Sequence, residues 1–346
     1  MSYRLSLLDK SPIAKGESAT AALRRTIAFA QRAEALGYER FWVAEHHNTP
    51  DLASSSPEIL IAALASATKT IRVGSGGVML QHYSPYKVAE NFNLLENLAP
   101  GRIDVGIGKA PGGLPLSTRA LQAGRSTENR PDFAEQLREL DAYLGVGRDT
   151  RTEGLAATPA TSAESEKFLL GASVESATLA AELGWHFVFA RHLNGDDVAL
   201  ASAISTYRDL AHRTPIVALA AIVSADGDKA RETAEAFTPY RVTIPGGQSV
   251  TVGSEAQAAE YARQAGVTDY AVEKRKANVL AGTGHDIIAA TDALARQYGI
   301  EEFILDLANP GDSRLDAIEL IASARTQSVA SARATARQTT PTALSA

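Results

Sequence analysis

The chain has 346 residues, 45% of them hydrophobic, no cysteine, and a formal net charge of -6 with acids and bases interspersed. This balance offers no electrostatic footprint for nucleic acid, and the missing thiols remove disulfides, thiolate metal sites and a cysteine nucleophile. No apolar run approaches the roughly eighteen residues of a membrane span, and the N-terminus lacks the basic-then-apolar layout of a secretory signal, so the expectation is a cytoplasmic protein that acts on small molecules.

Strand-like and helix-like segments alternate from the start: Leu5 to Leu8 then Ala19 to Leu36, Phe41 to Ala44 then Ile59 to Ala67, Ile71 to Leu80 then Tyr86 to Leu98. The first helix carries Phe29, Ala33 and Leu36 on one face and is closed by Gly37; Ser56-Pro57-Glu58 has the N-cap and first-position proline that open the second. Ile103 to Ile107 follows, and after a long interval the series resumes with Phe168 to Gly171, Phe187 to Ala190 and Ile216 to Val223, each with a helix behind it, and ends with Phe303 to Leu307. Continuous apolar strands alternating with helices predict a parallel sheet covered on both faces, doubly wound or closed. Eight strand candidates is the number a barrel requires, and the length suits one barrel of roughly 250 residues with loop insertions. The extra length lies at about 109–166 and 239–285, both expected as insertions on the active-site rim of a single domain spanning 1–328. Residues 329–346, rich in Ala, Ser, Thr, Gln and Arg, are expected to form a disordered tail.

The stretch Arg40-Phe-Trp-Val-Ala-Glu-His-His47 runs a buried strand directly into an acid and two imidazoles. Neighbouring strand residues point to opposite faces, so His46 and His47 do not easily share a metal ion, and no metal is predicted. At the C-terminal mouth of a parallel strand a neutral imidazole can give or take a proton near pH 7, which makes His46 the candidate catalytic residue; His47 reads equally well as structural. His82, His186, His192, His212 and His285 look scattered.

Gly74-Ser-Gly-Gly-Val78 interrupts an apolar strand, where glycine costs backbone entropy and packs nothing. A flat ring lying against Gly76 and Gly77 explains this; a β-bulge is the alternative. It is not a dinucleotide fingerprint, since the third glycine would fall at Met79, and Gly106-Ile-Gly-Lys109 lacks Walker A spacing. In Gly171-Ala-Ser-Val-Glu-Ser-Ala177 the first turn of a helix offers Ser173, Val174, Glu175 and Ser176, either as a simple N-cap or as a phosphate site, with Lys109 a candidate counter-charge.

Taken in order, R-F-W-V-A-E-H-H-N, I-R-V-G-S-G-G-V-M-L, S-P-Y-K-V-A-E-N, L-A-P-G-R-I-D-V-G-I-G-K-A-P-G and G-A-S-V-E-S-A-T-L-A-A-E-L-G resemble the bacterial luciferase-like flavin monooxygenase family. The resemblance implies a (β/α)8 TIM barrel, dimeric through helices on its side, that binds reduced FMN or, in a sister branch, a reduced deazaflavin. It places His46 beside the flavin's reactive edge, a cis Gly76-Gly77 peptide with Val78 under the ring system, and Ser173, Val174, Glu175 and Ser176 at the FMN phosphate. Lys109 stands where relatives often carry arginine, and Gly108 where luciferase has a reactive cysteine. The implied activity is a two-component monooxygenase: FMN reduced by a separate NAD(P)H:flavin reductase, O2, and a small organic substrate. Hydride transfer from a deazaflavin, and flavin binding without catalysis, are the alternatives. The segment Gly112 to Asn129 departs from luciferase and gives no reason to expect a long-chain aldehyde.

Overall fold

The computed structural model describes residues 3–124, 131–144, 154–245, 249–310 and 313–338. In chain order the elements are β1 (Arg4–Asp9), α1 (Ala19–Ala35), β2 (Arg40–Val43), α2 (Pro57–Ala67), β3 (Arg72–Ser75), β4 (Val78–Met79), α3 (Pro85–Leu98), β5 (Ile103–Gly108), α4 (Pro115–Leu121), α5 (Phe133–Leu144), β6 (Glu166–Gly171), α6 (Val174–Glu182) and β7 (His186–Ala190). They continue with α7 (Asp197–Ala211), β8 (Ile216–Val223), α8 (Gly227–Ala236), β9 (Tyr240–Thr243), β10 (Val250–Val252), α9 (Glu255–Ala265), β11 (Ala271–Lys274), β12 (Val279–Gly282), α10 (Gly284–Tyr298), β13 (Glu302–Leu307) and α11 (Ser313–Gln338). None of the described helices is long and apolar enough to cross a membrane.

Eight parallel strands close a ring in the order β1, β2, β3, β5, β6, β7, β8, β13 and back to β1. This is the expected (β/α)8 TIM barrel, and the helices behind the strands bury Phe29, Leu64, Phe92, Ala177, Tyr207, Ile288 and Ile318 against its outer wall. The inside is filled separately by Leu8, Trp42, Ala44, Phe168, Val188, Ile216, Ala218 and Ile304. Each of these inner positions lies two residues, or a multiple of two, from its neighbours on the same strand, as the period of a β-strand requires. Phe168 meets the Trp42 ring edge-on at 4.8 Å between centroids.

Below that layer, at the N-terminal end of the strands, a buried ion network replaces apolar packing. Arg40 donates to Glu302 at 2.6 Å, to Asp104 at 2.9 Å and to Glu166 at 3.2 Å, while Arg72 and the Trp42 indole N–H also reach Asp104.

Several expectations are corrected. The third strand is not continuous from Ile71 to Leu80: β3 stops at Ser75, the Gly76-Gly77 peptide is cis as the resemblance implies, and β4 resumes beside β5 with Val78 opposite Ile107. Ser56 occupies the cap position of α2 without making a side-chain cap bond, although Pro57 opens the helix as expected. Segment 239–285 is more than loop: β10, β9 and β11 form an antiparallel sheet, and β12 extends β8 from Ala220 to Val223, above the point where β7 leaves it at Ala218. Strands of three or four residues with exposed side chains, such as Ala271–Lys274, present no hydrophobic period to read. The backbone of α11 stays helical through Gln338 where a disordered tail was expected from residue 329, because an Ala- and Arg-rich chain propagates a helix already nucleated on the barrel. Residues 339–346 lie outside the described ones.

Candidate active site

The C-terminal ends of the strands form a mouth whose inward walls are narrow in side chain. Above the Leu8, Trp42 and Phe168 layer, the inward residues of β2, β7 and β8 are Ala44, Ala190 and Ala218, all buried. Methyl groups at these positions leave width that larger side chains would fill.

His46 follows Ala44 by two residues and shares its inward face. Its Nδ1 is sealed from solvent and has no hydrogen-bond partner among the described residues. Burial, with help from the charge of Lys10, pulls its pKa down to about 4 against the opposing pull of Asp306, so the ring is neutral at pH 7. Lys10, one residue beyond β1, pairs with Asp306 of β13 at 2.5 Å. Asp306 is buried, yet the charge of Lys10 and the hydrogen bond from Lys10 hold its carboxyl below the ordinary range. His192, just past β7, joins the same group: its ring meets the Ala218 carbonyl, and burial lowers its pKa. Lys10, Asp306 and His192 were not foreseen. Their signal was available in the period of two, because they continue the inward series from Leu8, Ile304 and Val188.

Glu45 and His47 face the other way. The fully buried Glu45 carboxylate accepts from the Tyr83 hydroxyl at 2.8 Å and from the backbone N–H of Met79 at 3.0 Å, and lies 2.7 Å from His47 Nε2. The His47 backbone N–H donates to Gly112 and the residue bridges Gly113. His47 is therefore part of a clamp that ties β2 to the segment after the cis peptide and to the first rim insertion. His82 belongs to the same clamp, with Nε2 2.8 Å from the Pro111 carbonyl.

The glycine pair has a cause within the wall. A methyl group on Gly76 would come 2.5 Å from Leu8 Cδ1, and one on Gly77 2.8 Å from the Gly106 carbonyl oxygen. Gly77 is closed to a side chain by backbone, and Gly76 admits one only at the cost of moving Leu8, whether or not a ring lies above them, so the glycines by themselves do not indicate a ligand. Val78 buries its side chain in the outer core and has only its backbone to offer the mouth.

Ser173 is the N-cap of α6: its Oγ accepts from the Ser176 N–H at 3.3 Å and lies 3.4 Å from Ser176 Oγ. The hydrogen bond from Ser173 and the backbone hold the exposed Glu175 carboxyl below its ordinary range. The remaining N–H groups of that first turn, including that of Val174, are the part of a helix suited to an anion. Lys109 is exposed, with its ammonium 6.0 Å from the centre of the Phe133 ring on α5. No contact joins it to Ser173 or Ser176. The two rim insertions meet above the mouth, where Gln264 of α9 accepts from the Leu116 N–H at 2.9 Å and from Arg119 at 2.8 Å.

These buried neutral rings have a consequence for stability. His46 and His186 each titrate near pH 4 in the folded chain and near 6.5 when unfolded. Above pH 6.5 neither state binds the proton and nothing is lost; as pH falls from 6.5 to 4 the unfolded chain protonates first, so folding stability falls. The loss is about 3 kcal/mol for each ring over that window. Urea unfolding at pH 7, 5.5 and 4.5 measures it, and His46→Gln is expected to remove that ring's own part of the fall. A flat profile would mean that the rings are not buried neutral.

The chain matches the family described as luciferase-like monooxygenase over residues 3–302. It is 43% identical over 311 residues to the N-acetyl-S-alkylcysteine monooxygenase of Bacillus subtilis, an alignment covering 87% of this chain and 92% of that protein. Among solved structures it is similar to apo-MsnO8, with a TM-score of 0.74, 28% identity and 94% and 98% of the two chains covered. The oxygenating constituent of 3,6-diketocamphane monooxygenase from Pseudomonas putida, solved with FMN, shares the fold, with a TM-score of 0.64, 19% identity and 93% and 97% coverage.

Proposed function

Because the chain belongs to the luciferase-like monooxygenase family and is an oxidoreductase of that kind, we propose that it oxygenates an S-alkyl thioether of an N-acylated cysteine, using O2 and reduced FMN from a separate NAD(P)H:flavin reductase. When bound, reduced FMN supplies both electrons, so that one oxygen atom enters the substrate and the other leaves as water. The observation that carries this reading is His46, a neutral imidazole with a sealed, unpartnered nitrogen at the strand-end mouth of the barrel. The substrate class is supported by the Bacillus subtilis relative.

The residues present fit a flavin. Ala44, Ala190 and Ala218 leave width for a planar ring, and the Gly76-Gly77 backbone and Val78 main chain lie on the adjoining wall. The Ser173, Val174, Glu175 and Ser176 turn would hold the phosphate, with Lys109 just past the end of the neighbouring strand β5. The chain's own work is to bind and orient both partners, to exclude water beneath the joined insertions, and to move a proton at His46 Nε2, the ring nitrogen left open to the mouth. A homodimer is part of the proposal. Ile59 of α2 and Leu94 and Leu98 of α3 are 75%, 52% and 65% exposed on two helices that pack side by side, and sedimentation measures whether they are covered.

Supplying the protein with FMN, a flavin reductase, NADH and N-acetyl-S-ethylcysteine under 18O2 is expected to give a product carrying one labelled oxygen. Binding of a deazaflavin in place of FMN, with no oxygen consumed, would instead assign hydride transfer. FMN binding without substrate-dependent oxygen uptake would assign a non-catalytic flavin carrier.

A further inference from the structure

Side chains along β1 alternate between the two faces of the barrel wall. Asp9 points outward, where its carboxylate accepts from the Thr26 hydroxyl of α1 at 2.8 Å and pairs with Arg314 of α11. Ser6, Leu8 and Lys10 therefore point inward, and each has its partner there. Ser6 donates to Glu302 on the floor at 2.6 Å, Leu8 belongs to the inner apolar layer, and Lys10 reaches Asp306 at 2.5 Å. The same alternation carried around the ring brings His46, His192 and Asp306 to the level of Lys10. Among the described residues, Lys10 is the one lysine or arginine at an inward position on the mouth end of a barrel strand.

The ion pair is unequal. The Asp306 side chain is 6% exposed and that of Lys10 36%, so the carboxylate is the buried anchor and the ammonium is the group that meets the mouth. An ammonium has three N–H donors, of which Asp306 takes one. The anchor fixes the direction of the lysine, and the neutral His46 brings no second charge. In the ring, β13 stands four strands from β5 and β1 four strands from β6. Lys10 and Asp306 thus face the β5 and β6 walls from across the mouth, with His46 on β2 between β1 and β3. A flavin along the Gly76-Gly77 wall and the α6 turn leaves this opposite side to the organic substrate. An N-acylated S-alkylcysteine has one charged group, its carboxylate, set apart from the sulfur. We propose that Lys10 is a specificity-determining residue whose Nζ holds the carboxylate of the organic substrate on the wall opposite the flavin, with Asp306 fixing its direction. This rests on the functional reading above for the identity of the substrate and for the place of the flavin.

The test is calorimetric titration of the full chain, with oxidised FMN and without it, using N-acetyl-S-ethylcysteine and its methyl ester. The two probes share the thioether and the amide and differ in the charge. The parent is expected to bind the acid about 10- to 100-fold more tightly than the ester, the range for a hydrogen bond between charged groups. Lys10→Met is expected to abolish that preference by weakening the acid alone, with FMN affinity within about twofold of the parent. Lys10→Arg, which keeps the charge, is expected to recover part of it. Because Lys10→Met leaves Asp306 buried without its cation, the double variant Lys10→Met, Asp306→Asn serves as a neutral counterpart and is expected to lose the preference equally. Three results would each overturn the proposal: no preference for the acid in the parent, including no binding of either probe; a preference kept in both variants; or a loss of FMN affinity in Lys10→Met with the acid-to-ester ratio unchanged, which would set Lys10 against the flavin. A parent that prefers the acid yet incorporates no 18O into it would sink the monooxygenase reading and leave the carboxylate site standing.

Discussion

Substrate oxygenation by His46→Asn is expected to fall about 10²- to 10⁴-fold, the range spanned by loss of a positioned acid or base. Asparagine keeps a short polar group on the same inward face but cannot give or take a proton near neutral pH, so binding and proton transfer separate. FMN affinity should change little, oxygen uptake should persist, and the consumed oxygen should emerge as hydrogen peroxide instead of labelled product. Measured together, oxygen consumption, peroxide and 18O incorporation give the coupling ratio. An unchanged ratio and rate would remove His46 from the reaction and leave its sealed Nδ1 as a packing feature only. The pH profile gives a second reading. The free ring titrates near 4, far below pH 7, so activity should not decline on the acid side until well below the usual histidine range.

Arg40→Met acts at the other end of the barrel and on a different property. The Arg40 guanidinium is buried among Glu302, Asp104 and Glu166, and Asp104 and Glu302 are themselves buried. Removing the cation leaves Glu302 with the Ser6 hydroxyl at 2.6 Å but without its buried counter-charge, and takes one of two arginines from Asp104, with Arg72 still at 2.6 Å. Breaking a buried network from one side costs about 3 to 5 kcal/mol, because the carboxylates stay desolvated without compensation. Urea unfolding at pH 7 should show a lower midpoint with an unchanged slope. Activity per folded molecule should be retained, since the N-terminal floor of a barrel carries stability and the opposite mouth carries chemistry. A midpoint equal to the parent's would mean that the network contributes nothing net. Equal loss of activity per folded molecule would mean that the floor and the mouth are coupled.

Strands of the barrel were legible because most contain a short buried apolar run, and a run of that kind reads the same wherever it sits. Ile216 to Val223 matches β8 at both ends. The interruption at Gly76-Gly77 was visible, yet its cause was not: Leu8 and the Gly106 carbonyl, which exclude a side chain there, come from strands 68 residues before and about 30 residues after in the chain. The rim sheet β9 to β11 was invisible for a related reason, since three short, exposed strands hold together by pairing that no local period records.

The site divides in the same way. His46 could be picked out because it follows a strand directly, and Ser173 because a serine before a helix is its natural cap. His192, Lys10 and Asp306 lay at strand ends too, but three side chains separated by more than a hundred residues become neighbours only when the sheet closes, bringing β13 beside β1 and setting β2 and β7 across the same mouth. By itself the sequence determined the alternation of elements, the family and one imidazole, because these depend on local pattern. Ring closure alone decided which residues face that imidazole, which carboxylate and ammonium neutralise one another beneath it, and which neighbouring histidine, His47, is turned away into a clamp. The physical reason is that inward or outward facing is a local alternation, whereas the distance across a barrel is a property of all eight strands together.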